Sequence, residues 1–335
     1  MCEETNLIRR NNLEKLKAWL FIKGKSIKAE MAKDTGISVV TINSLVKELV
    51  RDNTFIEGSF IQQKTGRPAV EYMFNYDKTF HLLLSIQEKK SPERKRKLQV
   101  IAKIVNMEGV EKVSEVIDFP EINIENLLSI IEKYIHEEYE VGKIGLAIPG
   151  KIFEGVITSS WENVFDGWNI EEELKRMTDI PIKIQNDAHI MTMGFCVENN
   201  LFINESVVGI FYPEKSMPGI TIFSNGALIE GQKGLAGEAK FLPNIMEKTA
   251  PDTEIELARN LSEIVAIYNV VIAPSFFVIS SENVDIEIMR QAIESDKSLS
   301  RQPNKPIIYF DRHFQQSMTM GLRWLVTEDT IYKIY

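Results

Sequence analysis

The sequence, 335 residues long, predicts an α/β body preceded by a small helical head that ends in a β-hairpin. Three observations carry this. Up to Arg51 the apolar side chains fall at helical spacing. From Phe55 to Phe74 the period changes to two. From Thr79 onward apolar strand-like runs alternate with helical stretches.

In the head, Leu13, Leu16 and Leu20 share one face and predict a helix over Asn12–Ile22, which Gly24 can end. Ile27 and Met31, one turn apart, predict a second helix over Ile27–Thr35. Gly36-Ile37-Ser38 makes a tight connection, and Ser38 is a good N-cap for a third helix over Val39–Arg51. That helix gathers Ile42, Leu45, Val46 and Leu49 on one face. Its other face presents Val40, Thr41, Ser44 and Lys47, which are short or hydrogen-bonding groups. Strands follow at Phe55–Glu57 and Val70–Phe74, around the polar tip Gln62–Pro68. Three helices and then a hairpin is the order of a winged helix-turn-helix, and such turns often contain glycine.

In the body, strands are expected at Phe80–Ile86, Leu98–Val105, Val113–Phe119, Lys143–Ile148, Pro181–Gln185, Val207–Tyr212, Gly219–Phe223 and Val270–Ile279. Helices are expected over Ile124–Tyr139, over Ile170–Met177 and from Ala188. Asn186-Asp187 then stands at the C-terminal end of a strand, where ligand groups collect in open α/β sheets. No internal repeat is visible. The expected division is a head of residues 1–78 and a body of residues 79–335.

Hydrophobic residues make up 44% and charged residues 26%, which excludes a disordered or collagen-like chain. No apolar run approaches the ~20 residues of a bilayer span. Met1-Cys2-Glu3-Glu4 lacks the order of a secretory signal, so the expected location is cytoplasmic, with no membrane partner. Two cysteines, Cys2 and Cys196, give neither a disulfide framework nor a four-cysteine metal site. Residues 1–78 carry 13 Lys+Arg against 10 Asp+Glu, and the remainder 26 against 38, so a mildly basic head sits on an acidic body.

That head suits double-stranded DNA. A helix in the major groove needs short or hydrogen-bonding side chains on its exposed face. Ser38, Val40, Thr41, Asn43, Ser44 and Lys47 are the candidates there. On the hairpin tip, Gly66 lets the backbone approach closely and Pro68 stiffens it. Arg67, with Lys64 nearby, is then held outward toward a minor groove, whose potential attracts arginine. An ordinary hairpin loop is the alternative.

These residues, together with the body, resemble the ROK family of bacterial sugar-responsive repressors and sugar kinases. The matching segments are Ile37-Ser38-Val39-Val40-Thr41, Thr65-Gly66-Arg67-Pro68-Ala69 with Tyr72, Gly145-Leu146-Ala147-Ile148-Pro149-Gly150, Trp168, Asn186-Asp187-Ala188, Asn225-Gly226-Ala227-Leu228 through Gly231, and Ala236-Gly237-Glu238. Leu261–Ile279 is similar to the family's helix and strand before its C-terminal region. The resemblance implies two lobes on the ribonuclease-H-like, actin-like plan with a sugar cleft between them. It implies Asp187 at the position of the kinases' general base, with Asn186 beside it and Glu238 as a further sugar contact. The alternative role of Asp187 is to cap the following helix.

The departures from the family matter as much. The kinases' glycine-rich phosphate loop is replaced by Ser85-Ile86-Gln87-Glu88-Lys89-Lys90, with no glycine before Gly109. Backbone amides cannot wrap a phosphate closely without such glycines. Near the second phosphate loop stand Pro213, Glu214 and Pro218. Phe241 occupies the position of the family's zinc-binding histidine, and no cysteine cluster follows. His81, His136, His189 and His313 show no ligand spacing, and His189 is expected to be a partly exposed helix residue. The basic stretch Glu88–Lys97 reads as a solvated hairpin tip, the usual fate of such runs, with contact to DNA backbone or to a phosphorylated effector as the alternative.

The expected protein is therefore a non-enzymatic, DNA-binding transcriptional regulator, a repressor of carbohydrate-metabolism genes. It would have an operator as partner, a sugar or sugar-phosphate effector, no cofactor or metal, and a homodimeric or homotetrameric state. The alternatives are a ROK-type sugar kinase, and a regulator whose body has lost ligand binding and serves dimerisation or protein contact.

Overall fold

The computed structural model describes residues 2–62, 68–89, 97–136, 138–201, 205–213, 217–246, 251–281 and 284–334. The head comprises α1 (Cys2–Lys23), β1 (Lys25–Ile27), α2 (Lys28–Thr35), α3 (Val39–Arg51), β2 (Phe55–Ile61) and β3 (Ala69–Phe74), with sheet order β1-β3-β2. α1 begins well before its apolar stripe, held by Arg10 pairing with Glu14 one turn on and by Arg9 reaching Glu48 of α3. It stops at Gly24, whose left-handed backbone (φ +80°) a side chain would strain. Ile27 is not the start of α2: Lys25–Ile27 pair instead with Glu71–Met73 as a third strand. α3 has the expected bounds, and Ser38 Oγ accepts from the Thr41 amide at 3.2 Å. Ile42, Leu45, Val46 and Leu49 are buried with Leu16, Leu20, Met31, Phe55 and Phe74 in one core.

A turn over Tyr76–Lys78 leads into the first lobe: β4 (Phe80–Lys89), β5 (Lys97–Asn106), β6 (Glu111–Phe119), α4 (Ile124–Ile135), β7 (Val141–Ile148), β8 (Lys151–Phe153), β9 (Val156–Thr158), α5 (Ile170–Leu174) and β10 (Ile182–Asn186). The second lobe holds α6 (Asp187–Glu198), β11 (Val207–Phe211), β12 (Gly219–Ser224), β13 (Ala227–Leu228), α7 (Pro243–Met246), α8 (Glu254–Val271), β14 (Phe276–Ser280), α9 (Ile286–Glu294), α10 (Lys297–Arg301), β15 (Ile307–Asp311) and α11 (Phe314–Thr327). The two five-stranded sheets run β10-β7-β4-β5-β6 and β13-β12-β11-β14-β15. In each, the first three strands in sequence form an antiparallel meander and the last two lie parallel to the first. The lobes thus share one ribonuclease-H-like plan, a structural duplication with no repeat in the sequence.

α6 and α11 lie between the sheets, in a core that takes Leu83 and Ala147 from the first lobe and Val207, Phe223 and Val278 from the second. Their backbones nearly touch: a Cβ on Gly194 would sit 1.8 Å from Ser317 O, and one on Gly321 1.9 Å from Ile190 O. Among the described residues no helix is long and apolar enough to cross a membrane.

Three body expectations are corrected. Val270 and Val271 are not strand residues but the exposed last turn of α8. The chain then turns at Ala273 (φ +50°) and Pro274, and the strand is Phe276–Ser280. Their β-branched side chains favour a strand locally, but the buried face of α8, through Tyr268 and Asn269, carries the helix past them. α4 ends at Ile135, short of Tyr139, whose ring packs edge-on to Phe80 instead. α5 ends at Leu174, with Met177 in the turn after it.

Candidate functional site

The exposed face of α3 is the first candidate site. Val40, Asn43, Ser44 and Lys47 are exposed, and Thr41 is half-buried. Ser38 and Thr41 are partly committed to each other, since their hydroxyls lie 2.9 Å apart at the cap. Among the described residues the side chains of Asn43, Ser44 and Lys47 have no hydrogen-bond or ionic partner. Lys64, Gly66 and Arg67 lie outside the described residues. β2 and β3 lead to that tip and close it with the pair Ile61 and Ala69.

The second candidate is the cleft at the C-terminal ends of β7 and β10. β10 ends in Asn186, and α6 starts at Asp187, one residue before the helix start that the sequence suggested at Ala188. The cap, however, is Asn186. Its Oδ1 accepts from the His189 amide (3.4 Å) and its Nδ2 donates to Gly150 O (3.0 Å), so both ends of the amide are used structurally. Asp187 is not the cap: it is the first residue of the helix, and its Oδ1 accepts from the Ala188 amide (2.8 Å). Burial pushes its carboxyl up to about 7, against the lowering effect of that amide and of Lys151. Asp187 is thus poised between acid and carboxylate at neutral pH.

Lys151, which sequence reasoning missed, sits at the centre. The chain leaves β7 through Pro149-Gly150, and Lys151 opens the hairpin β8–β9 with its side chain buried. Its Nζ lies 3.3 Å from His189 Nε2, 3.3 Å from Ala236 O and 3.8 Å from Glu238 Oε1. Burial lowers its affinity for the proton, while Glu238, Asp187 and Glu230 oppose that. Glu238 also accepts from Ser159 Oγ (3.2 Å) and pairs with Lys240 (3.3 Å), and Lys240 in turn donates to Ser159 (2.6 Å). His189 is a correction: it is buried rather than partly exposed. Burial, with Lys151 beside it, pushes its imidazole down to about 3, so it is neutral. Lys151 donates to Nε2, which leaves the proton on Nδ1, facing Gln185 Oε1 at 3.2 Å. The structure therefore sets Lys151 beside Glu238 and His189, within electrostatic reach of Asp187. The sequence signal was available: a lysine directly after the Pro-Gly stop of a buried strand.

Among the described residues no phosphate loop leaves β4. β4 pairs with β5 without a break from Phe80 to Lys89, where a phosphate loop would leave the strand. Gln315 of α11 donates to Gln87 Oε1 at 2.7 Å across that end. Between Leu83, Ser85, Ile101 and Gln315 a small cavity of about 10 Å3 has room for one water. Most of the basic stretch lies outside the described residues, but Lys89 is paired with Asp118. The position of the family's zinc-binding histidine does not fit the metal here. Phe241 is an exposed phenyl ring, and Cys196 is buried in α6, with its thiol pushed up to about 12 by burial. Among the described residues no three His, Cys, Asp or Glu side chains gather as metal ligands.

The ROK family model matches residues 95–246. A ROK family transcriptional regulator, a homologue of the E. coli MLC protein, is 16% identical with a TM-score of 0.69, covering 97% of this chain and 97% of that one. A ROK family glucokinase from Streptomyces griseus, in complex with glucose and AMPPNP, is 14% identical (TM-score 0.55), covering 73% of this chain and 99% of that one. A ROK family protein from Streptococcus pneumoniae in complex with sucrose is 17% identical (TM-score 0.56), covering 73% and 99%. A search of the curated proteins finds no match. The kinase-type relative leaves about a quarter of this chain uncovered, whereas the regulator also spans the helix-turn-helix head. The motifs, the duplicated strand order and the family model agree on the fold: residues 95–246 match the ROK family model, and the chain has the fold of a ROK-like body that carries an N-terminal winged helix-turn-helix.

Proposed function

We propose that the chain is a DNA-binding transcriptional regulator, a repressor of sugar-related genes, with a head of residues 1–78 and a non-catalytic body of residues 79–335. The observation that carries this is the surface of α3. A capped, rigid helix holds Val40, Asn43, Ser44 and Lys47 outward, with none of the three polar groups engaged within the described residues. Asn43, Ser44 and Lys47 supply donors and acceptors for base edges or phosphates, and Val40 an apolar contact for a thymine methyl. The full-length likeness to a ROK transcriptional regulator supports the reading. The hairpin tip with Lys64, Gly66 and Arg67 would enter an adjacent minor groove.

Two such heads in a homodimer or homotetramer would bind paired half-sites about one or two helical turns apart. Selection of genomic fragments on the full chain, followed by footprinting, tests this. Two symmetric protected half-sites are expected, and a single unpaired half-site argues against the dimer. The kinase alternative finds no support in the unbroken β4–β5 ladder.

For the body, Asn186, Asp187 and Glu238 would face a sugar or sugar-phosphate effector. One observation favours the second reading, a body that has lost this ligand: the Lys151 ammonium already pairs with Glu238, and both ends of the Asn186 amide are taken by Gly150 O and the His189 amide. Thermal shift against sugars and sugar phosphates separates the two, since an effector present at 100 times its Kd adds ~2.7 kcal/mol.

A further inference from the structure

In the wing, β2 does not run regularly against β3. Phe55 pairs with Phe74 and Glu57 with Tyr72, but the next pair is Phe60 with Val70, so Gly58 and Ser59 together oppose Glu71 alone. This is a β-bulge, a device that re-aims the side chains beyond it. Side chains alternate along a strand, so without the extra residue Ser59 would oppose Val70 and Phe60 would turn to the other face of the sheet. A Cβ on Gly58 would lie 3.1 Å from Glu71 O, which suits the bulge to a glycine. The bulge therefore sets Phe60 on the face of Phe55, Tyr72 and Phe74, the face packed against the helices of the head. Along that face Phe74 and Tyr72 are buried and Val70 is half-buried, while Phe60 is 73% exposed. The helical layer has ended there, and the ring overhangs it on the side of the sheet where α3 lies.

A single exposed apolar residue is ordinary. A phenyl ring that a bulge turns out beside a row of exposed polar groups is less so, and among the described residues it has no aromatic or cationic partner. A duplex laid against the outward face of α3 meets the helical side of the wing on its flank, where Phe60 is the apolar group. Next along the same face, the Lys28 ammonium stands 5.0 Å over the Tyr72 ring, with no acidic partner among the described residues, and suits a phosphate. The Glu57 carboxylate, opposite Tyr72, is exposed and offsets that cation, so the ring rather than charge must carry the contact. Apolar side chains that enter a minor groove wedge between base pairs, partly unstack them and kink the duplex by ~20–90°.

We propose that Phe60 is such a wedge: it opens one base step in the minor groove beside the half-site and bends the operator. This rests on the regulator reading. The full chain is bound to its selected operator carrying 2-aminopurine at single positions across the flanks, and energy transfer between the two ends of the duplex reads the bend. With the wild type, the fluorescence of one flanking position per half-site rises at least twofold and the ends draw together. Phe60→Ala loses both signals and binds at least tenfold more weakly. Phe60→Leu, which keeps an apolar wedge, retains the bend and binds within threefold of the wild type. Both variants keep the wild-type melting temperature, because the ring is exposed. A flexible TA step at the wedged position strengthens wild-type binding and leaves that of Phe60→Ala unchanged.

The wedge is overturned if no flanking base brightens, or if Phe60→Ala binds and bends the operator as the wild type does. It is also overturned if Phe60→Ala alters the sedimentation mass of the DNA-free protein, since the ring would then be a contact between copies of this chain. Operator binding with an unbent duplex sinks this inference alone, whereas the absence of any selected operator sinks the regulator reading and the wedge together.

Discussion

Asp187→Asn replaces a carboxyl that titrates at about 7 in the fold with a neutral group of the same shape. In the unfolded chain the same carboxyl titrates near 3.8. Between those values the native state holds a proton that the unfolded state has released, so wild-type stability falls as pH rises from 4 to 7 and levels off above. The total loss is ~4 kcal/mol. The carboxamide of the variant has no proton to release and would not suffer that loss. Its amide oxygen can still accept from the Ala188 amide, and Lys151 keeps His189, Ala236 O and Glu238. The variant therefore gains on the wild type by ~3 kcal/mol between pH 4.5 and pH 8. At ~2–4 °C per kcal/mol for a domain somewhat smaller than this chain, the difference in Tm grows by ~6–12 °C. Scanning calorimetry of both proteins at both pH values measures it. If Asp187→Asn melts lower than the wild type at pH 8, and by more than at pH 4.5, then Lys151 needs the carboxylate charge and the argument from burial fails.

Lys47→Ala should weaken operator binding by ~1–3 kcal/mol if it loses a base edge, or weaken all sequences alike if it loses a phosphate, with Tm unchanged; binding to a randomised operator pool at one fixed salt reads both. Ser38→Ala removes the cap of α3 and should lower stability by ~1 kcal/mol, seen as a shift in thermal midpoint. Gly321→Ala places a methyl group against Ile190 O and forces α11 off α6. A loss of ~3 kcal/mol or failure to fold is expected, and near-UV circular dichroism with a melt checks it. Mg-ATP at millimolar concentration should give no calorimetric heat beyond dilution, because phosphoryl transfer needs a phosphate cradle that β4 does not make.

What the sequence determined by itself is what short-range physics determines. The bounds and both faces of α3 follow from the spacing of Ile42, Leu45, Val46 and Leu49 and from the cap at Ser38. The place of Asn186-Asp187, where a strand ends and a helix begins, follows from local periodicity. The missing phosphate loop follows from the absence of glycine after β4. Tertiary structure decided the rest, because it depends on which distant groups share buried space. β1 exists only because β3 offers it hydrogen-bond partners. Val270 and Val271 are helical because the buried face of α8 outweighs their own preference. The shared plan of the two lobes is a matter of strand order, which leaves no trace as a repeat of residues. Glu238 pairs with Lys151, and His189 is buried beside it. A buried ammonium needs several partners at once, and here His189, Ala236 and Glu238 come from segments far apart in the chain.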